Sequence, residues 1–525
     1  MDEAGYVARV GDAAARPAPG AFGGRAEDLG GRHAVPGLVD AHAHLVMGGF
    51  FLADLDLRAA RTPEQFREAV QAAAAGKAAG EWVVGGGWDQ FRWGGELPAA
   101  AWIDGFSRDV PVLLARVDGH MALANTRALE LAGVLALAGD PPGGEIDRDA
   151  AGAPTGILKD TAIRLVRKQM PARSDEERRE AVERACRHAL ARGVTLVHDM
   201  GQPAMTPEDR TAWDDLHRVL LPLADAGRLP LRVAAHVPVH VHAELEAFVA
   251  AAGQVHPLGR LSWGGLKEFA DGSLGSSTAL MYEPYADGGG TGGGGEGGAG
   301  LRIADPEVLA AQAVEADAAG LQLAVHAIGD RAVDEVVALY ERVIRHNGRQ
   351  TRRHRIEHVQ HIAGPATAAR MAASGIFAVA NPQHLLDDAK ILLRKLGPER
   401  AGPRRSYAYA TLLAAGVPLA FGSDWPLVSD IAPLEALEAA AERVPYGGRE
   451  PWAPEERISR ERALRALTRG GAEAAFREAE VGSLKVGHKA DLAVLDRDPL
   501  RHGAAPPRVA RTYVDGALAF VDSEL

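Results

Sequence analysis

Cysteine is almost missing from this chain, which has a single one, Cys186, in 525 residues. One cysteine cannot form an internal disulfide, so the sequence excludes a small secreted scaffold held together by disulfides. Cys186 lies in the helical-looking segment "RREAVERACRHALARGV", where a small, buried, apolar role is expected for it. The cysteine content is therefore compatible with a reducing compartment.

Long apolar runs and an excess of positive charge are also missing. No stretch of 18 apolar residues occurs, and the N-terminus has no apolar segment flanked by basic residues, so we expect neither membrane insertion nor secretion but a cytoplasmic location. The formal net charge is -12, which argues against nucleic acid or an anionic membrane as partner. A small-molecule substrate fits this composition better.

What the chain does contain is a repeated alternation of short apolar strands with alanine-rich amphipathic helices. This βα alternation is typical of a parallel sheet, and eight such strands predict an α/β fold of the (β/α)8, or TIM-barrel, type. Reactive groups are expected at the carboxyl ends of its strands. The eight predicted strands are "AVPGLVDAHAH", "GVTLVHDMG", "LRVAAHVPV", "LSWGGLKEFADGS", "LQLAVHAIGD", "RHRIEHVQH", "GIFAVANPQH" and "VPLAFGSDWP".

Two additions to a plain barrel are predicted. The segment of about 60–190 is too long for a βα connection, so we expect an inserted α/β subdomain after the first strand, forming a wall or roof over the pocket. It includes "GDPPGGEIDRDAAGAPTG", which is interpreted as a loop. Residues 1–34 and 476–525 are predicted to form a small, β-sandwich-like domain around a barrel spanning 35–475, and the glycine-rich 287–300 is not assigned any structure.

The segment "VPGLVDAHAHLVMGG" suggests the chemistry. Alternate side chains of a strand point to the same face, so His42 and His44 would project together at the end of the first strand. Two imidazoles so placed can share a metal ion, although nearby histidines are more often ordinary surface or core residues. The other strands therefore have to decide between these interpretations.

Further polar residues occur at matching positions of the later strands. Imidazoles and a carboxylate are good ligands for zinc and similar divalent ions, and the rim of a barrel can bring them together from distant parts of a sequence. The sequence thus predicts a divalent metal site, of one or two ions and with zinc as the expected metal. The residues at these further strand ends are Lys267, His326, His358 and Asp424.

The longer motifs around these residues resemble the amidohydrolase superfamily, and within it the YtcJ-like branch. The resemblance extends from about residue 33 to near the end of the chain. Its motifs are "VPGLVDAHAHL", "DGHMALANTRAL", "LKEFADGSLGSSTA", "AVHAIGDRAVDEV", "RIEHVQHI", "GSDWPL" and "GSLKVGHKADLAVLD". Relatives usually have more β-strands before the first motif, so we expect this chain to contribute fewer strands there.

The resemblance implies a role for each residue. His42 and His44 would bind the more buried metal, while His326 and His358 would hold a second one. Lys267 would be carboxylated and would bridge the two ions, since a free ammonium group cannot coordinate a metal. Asp424 would bind the first metal and act as a proton shuttle while hydroxide activated by the metal attacks a carbonyl carbon.

Several alternatives stay open among neighbouring residues. His361 could replace His358 as a ligand, and Asp271 could replace Lys267. His120, in "DGHMALAN", is a candidate catalytic residue that contacts the substrate or its oxyanion, and local structure is the alternative. His198 is interpreted as a packed residue behind the ligands.

The leading hypothesis is a metal-dependent hydrolase that cleaves a carbon–nitrogen bond other than a peptide bond, with an N-substituted formamide or similar small amide as substrate. Hydrolysis of a cyclic amide, deamination, or cleavage of an ester or lactone on the same centre is the alternative within enzymes. A non-catalytic barrel that serves binding or assembly is the alternative from another class. The oligomeric state is open, a homodimer being one alternative.

Overall fold

The structure is a computed structural model that describes residues 4–8, 10, 28–116, 121–141, 144–160, 162–202, 209–288, 298–503 and 505–525. Within these residues the strands are β1 (His33–Pro36), β2 (Leu38–Ala43), β3 (Leu55–Asp56), β4 (Val83–Trp88), β5 (Val112–Arg116), β6 (Met121–Ala124), β7 (Gly144–Arg148), β8 (Pro154–Asp160), β9 (Val194–Asp199), β10 (Arg232–Pro238), β11 (Leu261–Phe269), β12 (Gln322–Ala327), β13 (Arg355–His358), β14 (Phe377–Ala380), β15 (Leu419–Phe421), β16 (Leu492–Leu495), β17 (Val509–Val514) and β18 (Ala517–Val521).

The helices of the same residues vary from single turns to five turns. They are α1 (Leu45–Phe51), α2 (Pro63–Ala75), α3 (Thr126–Leu131), α4 (Ile163–Arg167), α5 (Asp175–Leu190), α6 (Thr211–Asp215), α7 (Leu221–Asp225), α8 (His242–Ala252), α9 (Pro306–Ala318), α10 (Asp330–Asn347), α11 (Pro365–Ser374), α12 (Pro382–Asp388), α13 (Leu392–Arg400), α14 (Tyr409–Ala414), α15 (Pro433–Glu442), α16 (Arg460–Arg465) and α17 (Gly471–Ala474). None of them is long and apolar enough to cross a lipid bilayer.

The central sheet is an eight-stranded barrel whose order is β15-β14-β13-β12-β11-β10-β9-β2, with every paired neighbour parallel. The barrel is closed between β2 and the residues after β15. There the backbone N–H of Asp424 donates to the carbonyl of His42 (2.7 Å), and that of His44 donates to the carbonyl of Trp425 (2.9 Å). The predicted (β/α)8 fold is therefore confirmed.

The first predicted strand is in fact two strands. β1 pairs antiparallel with β16 in a separate sheet, whereas β2 joins the barrel beside β9. Gly37 separates the two, and a Cβ on it would overlap the side chain of Thr195, so the change of sheet depends on a residue without a side chain. The prediction of one continuous strand was wrong here, because apolar periodicity does not show where a chain leaves one sheet for another.

The separate sheet is a small antiparallel one, with the order β1-β16-β17-β18. Its last two strands are joined by Asp515 and Gly516, which have φ angles of 52° and 75°. Two successive positive φ angles are characteristic of the type I′ turn that matches the twist of a two-residue hairpin. Near the N-terminus, Tyr6 forms an isolated antiparallel bridge with Lys489, so both ends of the described chain contribute to this region.

Residues 48–181 form a compact unit of their own, and residues 1–47 and 182–525 form the other. The smaller unit contains a six-stranded mixed sheet of order β3-β4-β5-β6-β8-β7, with a core of apolar residues that includes Phe66, Val70 and Trp88. The glycine- and proline-rich segment that was predicted to be a loop contains β7 and the start of β8, which pair as a hairpin. The proline and glycine residues of this segment indicated turns, and the sequence analysis did not predict the paired strands between those turns.

Candidate metal centre

The carboxyl end of β2 brings the first candidate ligands together with Asp424. Nε2 of His44 lies 3.2 Å from Oδ1 of Asp424, and Nε2 of His42 lies 3.4 Å from the same oxygen. All three residues are at most 6% exposed. One ligand atom from each lies within 4.8 Å of the other two, a spacing that suits coordination of a single ion.

Backbone contacts fix where Asp424 lies relative to the strand carrying the histidines. Asp424 has a φ of 60°, in the left-handed region, immediately after the shortest strand of the barrel. Behind it, the carboxylate of Asp40 accepts hydrogen bonds from the backbone N–H of His42 (3.1 Å) and from both the N–H (3.0 Å) and the hydroxyl (2.6 Å) of Ser423. The first and eighth strands are therefore tied directly behind the candidate ligands.

The ends of β12 and β13 add two more imidazoles. The ring centroids of His326 and His358 are 4.4 Å apart, and those of His358 and His42 are 4.8 Å apart. Burial and the charge of Lys267 lower the pKa of His326 to about 3, and burial likewise holds the pKa of His358 well below its ordinary value. Both rings are thus neutral at physiological pH, which is the protonation state of a metal-binding imidazole.

Hydrogen bonds on the far side of the rings set which nitrogen is free. Nδ1 of His42 donates to Glu357 (2.6 Å), Nδ1 of His44 donates to the carbonyl of Gly201, and Nδ1 of His358 donates to Oδ1 of Asn381 (2.8 Å). When Nδ1 of a neutral imidazole donates its proton to such an acceptor, Nε2 is the nitrogen that carries the lone pair and can bind a metal ion. Such partners orient metal-binding histidines in proteins generally, and they occur here at three of the four predicted ones.

Lys267 is buried on β11, two residues before Phe269, whose neighbour in β12 is His326. Its Nζ lies 4.4 Å from the centre of the Phe269 ring and has no hydrogen-bond partner in the described part of the chain. Burial lowers the pKa of this lysine to about 8, although Glu357 and Asp424 act to raise it. A buried amine without a partner is an unfavourable arrangement unless the group is modified or binds something.

A buried ion pair between Arg355 and Glu357 contacts the candidate ligands from behind. Arg355 donates to both oxygens of Glu357 (2.7 and 2.9 Å), and it also contacts Nδ1 of His198 (2.6 Å). Burial raises the pKa of Glu357, but the Arg355 guanidinium and His42 outweigh burial and hold that pKa well below its ordinary value. His198 thus lies behind the candidate ligands, in contact with this ion pair.

Sequence reasoning missed His384. It lies in α12, with Nε2 3.9 Å from Oδ2 of Asp424 and its ring centroid 6.0 Å from that of His358. His358, His384 and Asp424 form a second group whose ligand atoms lie within 4.8 Å of one another. The available signal was the polar "NPQH" at the end of the seventh predicted strand, at the same rim as the other residues.

The alternative ligands considered from the sequence, Asp271 and His361, are hydrogen-bonded to other parts of the chain. Asp271 accepts three backbone N–H groups, from Leu280, Ile328 and Gly329, and burial raises its pKa to about 7 despite those bonds. Its oxygens are therefore occupied by the chain. His361 is hydrogen-bonded to Ser406 (2.7 Å). His120 lies outside the described residues.

Four imidazoles, a carboxylate and a buried lysine thus converge at the carboxyl-end rim of a (β/α)8 barrel. This combination defines the class of metal-dependent barrel hydrolases, and the donor set suits a divalent metal ion. Burial raises the pKa of Asp424, but the imidazoles of His42 and His44 outweigh burial and hold that pKa well below its ordinary value. The site therefore presents an ionised carboxylate beside the imidazoles of His42 and His44.

Comparison with known proteins identifies the family. Residues 25–520 match the model of the amidohydrolase family, and the chain belongs to that family. Among its relatives, the protein LONG AFTER FAR-RED 3 of Arabidopsis thaliana is 42% identical over 93% of this chain and 82% of its own. An N-substituted formamide deformylase of Arthrobacter pascens is 30% identical over 94% of this chain and 89% of its own.

The predicted YtcJ-like resemblance is confirmed as well, since YtcJ of Bacillus subtilis (strain 168) is 29% identical over 94% of this chain and 90% of its own. A solved structure of an uncharacterised metal-dependent hydrolase from Pyrococcus horikoshii OT3 is also similar. It is 29% identical, with a TM-score of 0.73 over 91% of this chain and 89% of the other. The predicted class of enzyme, an amidohydrolase that depends on a divalent metal, is therefore confirmed.

Proposed function

We propose that this protein hydrolyses the amide-type carbon–nitrogen bond of a small molecule, and that N-substituted formamides are its substrate class. The convergence of His42, His44 and Asp424 from the two strands that close the barrel carries this proposal. The substrate class draws further support from the formamide deformylase of Arthrobacter pascens, which is similar to this chain along nearly its whole length.

The residues present fit zinc. His42, His44 and Asp424 would hold one ion, while His326 and His358 would hold a second, and a carboxylated Lys267 would be a further ligand. Lys267 supports this assignment because its buried Nζ has no hydrogen-bond partner among the described residues, whereas a carbamate on it would provide two anionic oxygens for metal ions. His384 lies beside the same carboxylate, on the side of His358.

Bound zinc would supply Lewis-acid chemistry, by polarising the scissile carbonyl and making water more acidic. Asp424 would then take the proton of the attacking water and pass it to the leaving nitrogen, so that an amine departs and formate remains. The pKa of this carboxyl group is held well below its ordinary value, so it is ionised as the role requires, and its Oδ1 lies 3.2 Å from Nε2 of His44. Hydrogen bonds from His42 and His44 to their partners on the far side keep both rings facing Asp424.

Replacement of the shuttle tests this mechanism. The variant Asp424→Asn is expected to lose about 10²–10⁴-fold in kcat on N-substituted formamides, because an amide cannot accept the proton. Activity should be measured by amine release from formamides and acyl amino acids and by ring opening of cyclic amides and lactones, with bound zinc measured by elemental analysis. Asp387→Asn is the matched control, since Asp387 pairs with Lys390 on an exposed surface.

The outcomes separate the parts of the proposal. Full activity of Asp424→Asn would rule out Asp424 as the proton shuttle. Hydrolysis of lactones or cyclic amides in preference to every formamide would overturn the substrate class while leaving the metal centre in place. Absence of bound metal after zinc loading would overturn the centre itself.

A further inference from the structure

A second cavity lies at the opposite end of the barrel from the metal centre. It has a volume of about 310 Å³, and its lining comes from the beginnings of β11 and β12 and from the chain just before β13. The candidate metal ligands, in contrast, lie at the ends of those strands. The residues that matter for the cavity are His236, Gln254, Trp263, Arg352, Phe476 and Arg477.

Arg477 is the most unusual residue of this lining. Its side chain is 3% exposed, and only Nη2 is engaged, donating to a carboxylate oxygen of Glu480 (2.7 Å) and to the carbonyl of Gly259 (3.1 Å). Nε and Nη1 have no hydrogen-bond partner in the described part of the chain. Buried guanidinium groups normally have their donors satisfied, so these two are available to a ligand.

His236 adds a second unsatisfied group. It is 4% exposed, and neither of its ring nitrogens has a hydrogen-bond partner among the residues that the structure describes. Its ring stacks on that of His198 at a centroid distance of 6.3 Å. A neutral imidazole offers one donor and one acceptor, so the cavity presents unused hydrogen-bonding groups from two sides.

The charged side chains that line the cavity are positive. Arg352 and Arg477 both line it, and no Asp or Glu occurs among the described residues of the lining. Each arginine has an acidic partner outside the lining, since Nε of Arg352 lies 3.6 Å from Oδ1 of Asp317 and Arg477 pairs with Glu480. An anion is therefore the complementary ligand, and a carboxylate is one of the groups whose geometry matches a guanidinium.

Two aromatic residues provide apolar walls to the same cavity. The indole N–H of Trp263 is already used by the carbonyl of Gly253 (2.8 Å), so the ring contributes only apolar surface. Phe476 provides a second ring on the lining, although it is 46% exposed. The volume is at the lower end of the range for small-molecule sites, which is about 300–1,000 Å³.

We propose that this cavity at the amino-end rim of the barrel is a binding site for a small organic carboxylate with an apolar or aromatic body. The carboxylate accepts a charge-assisted hydrogen bond from one of the two unpaired donors of Arg477, Nε or Nη1, and the body lies against Trp263 and Phe476. The site is separate from the metal centre, and the inference holds whatever reaction occurs there.

Calorimetric titration of the zinc-loaded protein with benzoate tests the proposal, with benzamide as the neutral probe of the same shape. One benzoate is expected to bind per chain, and benzamide is expected not to compete with it. Arg477→Met should weaken benzoate at least about tenfold, because a charge-assisted hydrogen bond is lost. Circular dichroism of that variant checks that it folds.

A second pair of variants avoids the buried residues. Thr351 lines the cavity and is exposed, so Thr351→Glu places a negative charge at the rim without disturbing the packing. This variant should weaken benzoate by repulsion, whereas the neutral, equally large Thr351→Gln should bind it like the original protein. A benzoate bound at the metal centre would respond to neither substitution.

The opposing results are equally clear. Benzoate binding that survives both Arg477→Met and Thr351→Glu would place the ligand elsewhere and overturn the proposal. Equal binding of benzamide, or binding of inorganic phosphate in place of benzoate, would overturn the assigned ligand class. No binding of either organic probe would mean that the cavity holds water only.

Discussion

Glu357 connects the metal centre to the interior of the barrel. One of its oxygens accepts from Nδ1 of His42, and both accept from Arg355, which also donates to the carbonyl of Ala41 (2.7 Å). Glu357 and Arg355 are both 0% exposed. A buried ion pair is costly to break, because removal of one partner leaves an uncompensated charge, and this pair also orients a candidate ligand.

The variant Glu357→Gln therefore has two expected effects. It should lower the free energy of unfolding by about 3–5 kcal/mol, since Arg355 loses its buried counter-charge. It should also weaken zinc binding about 10–100-fold, because the partner that orients His42 becomes neutral. Chemical denaturation of the metal-free protein measures the first effect, and competition with a zinc chelator measures the second.

Glu341→Gln is the matched control for this change. Glu341 pairs with Arg370 where both side chains are 30% or more exposed, so its loss should cost less than about 1 kcal/mol and leave zinc affinity unchanged. Equal effects of the two substitutions on zinc affinity would contradict the positioning role of Glu357.

At the scale of elements, the closure of the barrel is the decisive feature. β15 has only three residues, and the connection to β2 is completed by hydrogen bonds from Asp424 and His44 and by the contacts of Asp40. Gly422 follows β15 at this seam. A Cβ on Gly422 would overlap the backbone nitrogen and the Cβ of His42, so the close approach of the two strands requires glycine.

Gly422→Ala should consequently separate the strands that carry His42 and Asp424. We expect a loss of stability of about 1–3 kcal/mol, as for other insertions into packed regions, together with weaker zinc binding. Thermal unfolding and chelator competition measure the two quantities.

Gly275→Ala provides the comparison. A Cβ on Gly275 meets no atom within 4 Å, and its φ is not positive, so this variant should change stability by less than about 0.5 kcal/mol. If Gly422→Ala were as harmless as this control, the seam would tolerate a wider spacing than the structure indicates.

At the scale of the whole molecule, the metal centre joins segments that are far apart in the sequence. His42 and Asp424 are contributed by the first and eighth strands, and His326 and His358 by the fifth and sixth. An ion bound between them would stabilise only the folded chain, because the unfolded chain cannot hold these ligands together. Metal content and global stability are therefore coupled.

Removal of the metal should accordingly lower the melting temperature. Zinc at 100 times its Kd would contribute about 2.7 kcal/mol, which for a chain of this size corresponds to a shift of roughly 1–5 °C. Calorimetric scans with a chelator and with added zinc measure this shift. The double variant His42→Ala/His44→Ala should show a smaller response to zinc, and a response equal to that of the original protein would place the ion elsewhere.

Much of the fold could be predicted from the sequence, because each barrel strand is an apolar run that ends in polar residues. The split at Gly37 and the hairpin of β7 and β8 could not, since pairing partners are decided by distant strands. At the candidate metal centre, a single sequence motif was enough to predict His42 and His44 as ligands. His384 and Glu357 were not singled out, because their importance depends on what they face.

The sequence by itself determined the class of this protein. Strand periodicity and the residue types at strand ends are local properties, so they can be recognised without knowing which segments pack together. Only the tertiary structure decided which nitrogen of an imidazole is free, which carboxylate already accepts hydrogen bonds, and that Arg477 and His236 line the same cavity. Those features depend on distances between residues far apart in the chain, and such distances exist only once the barrel has closed.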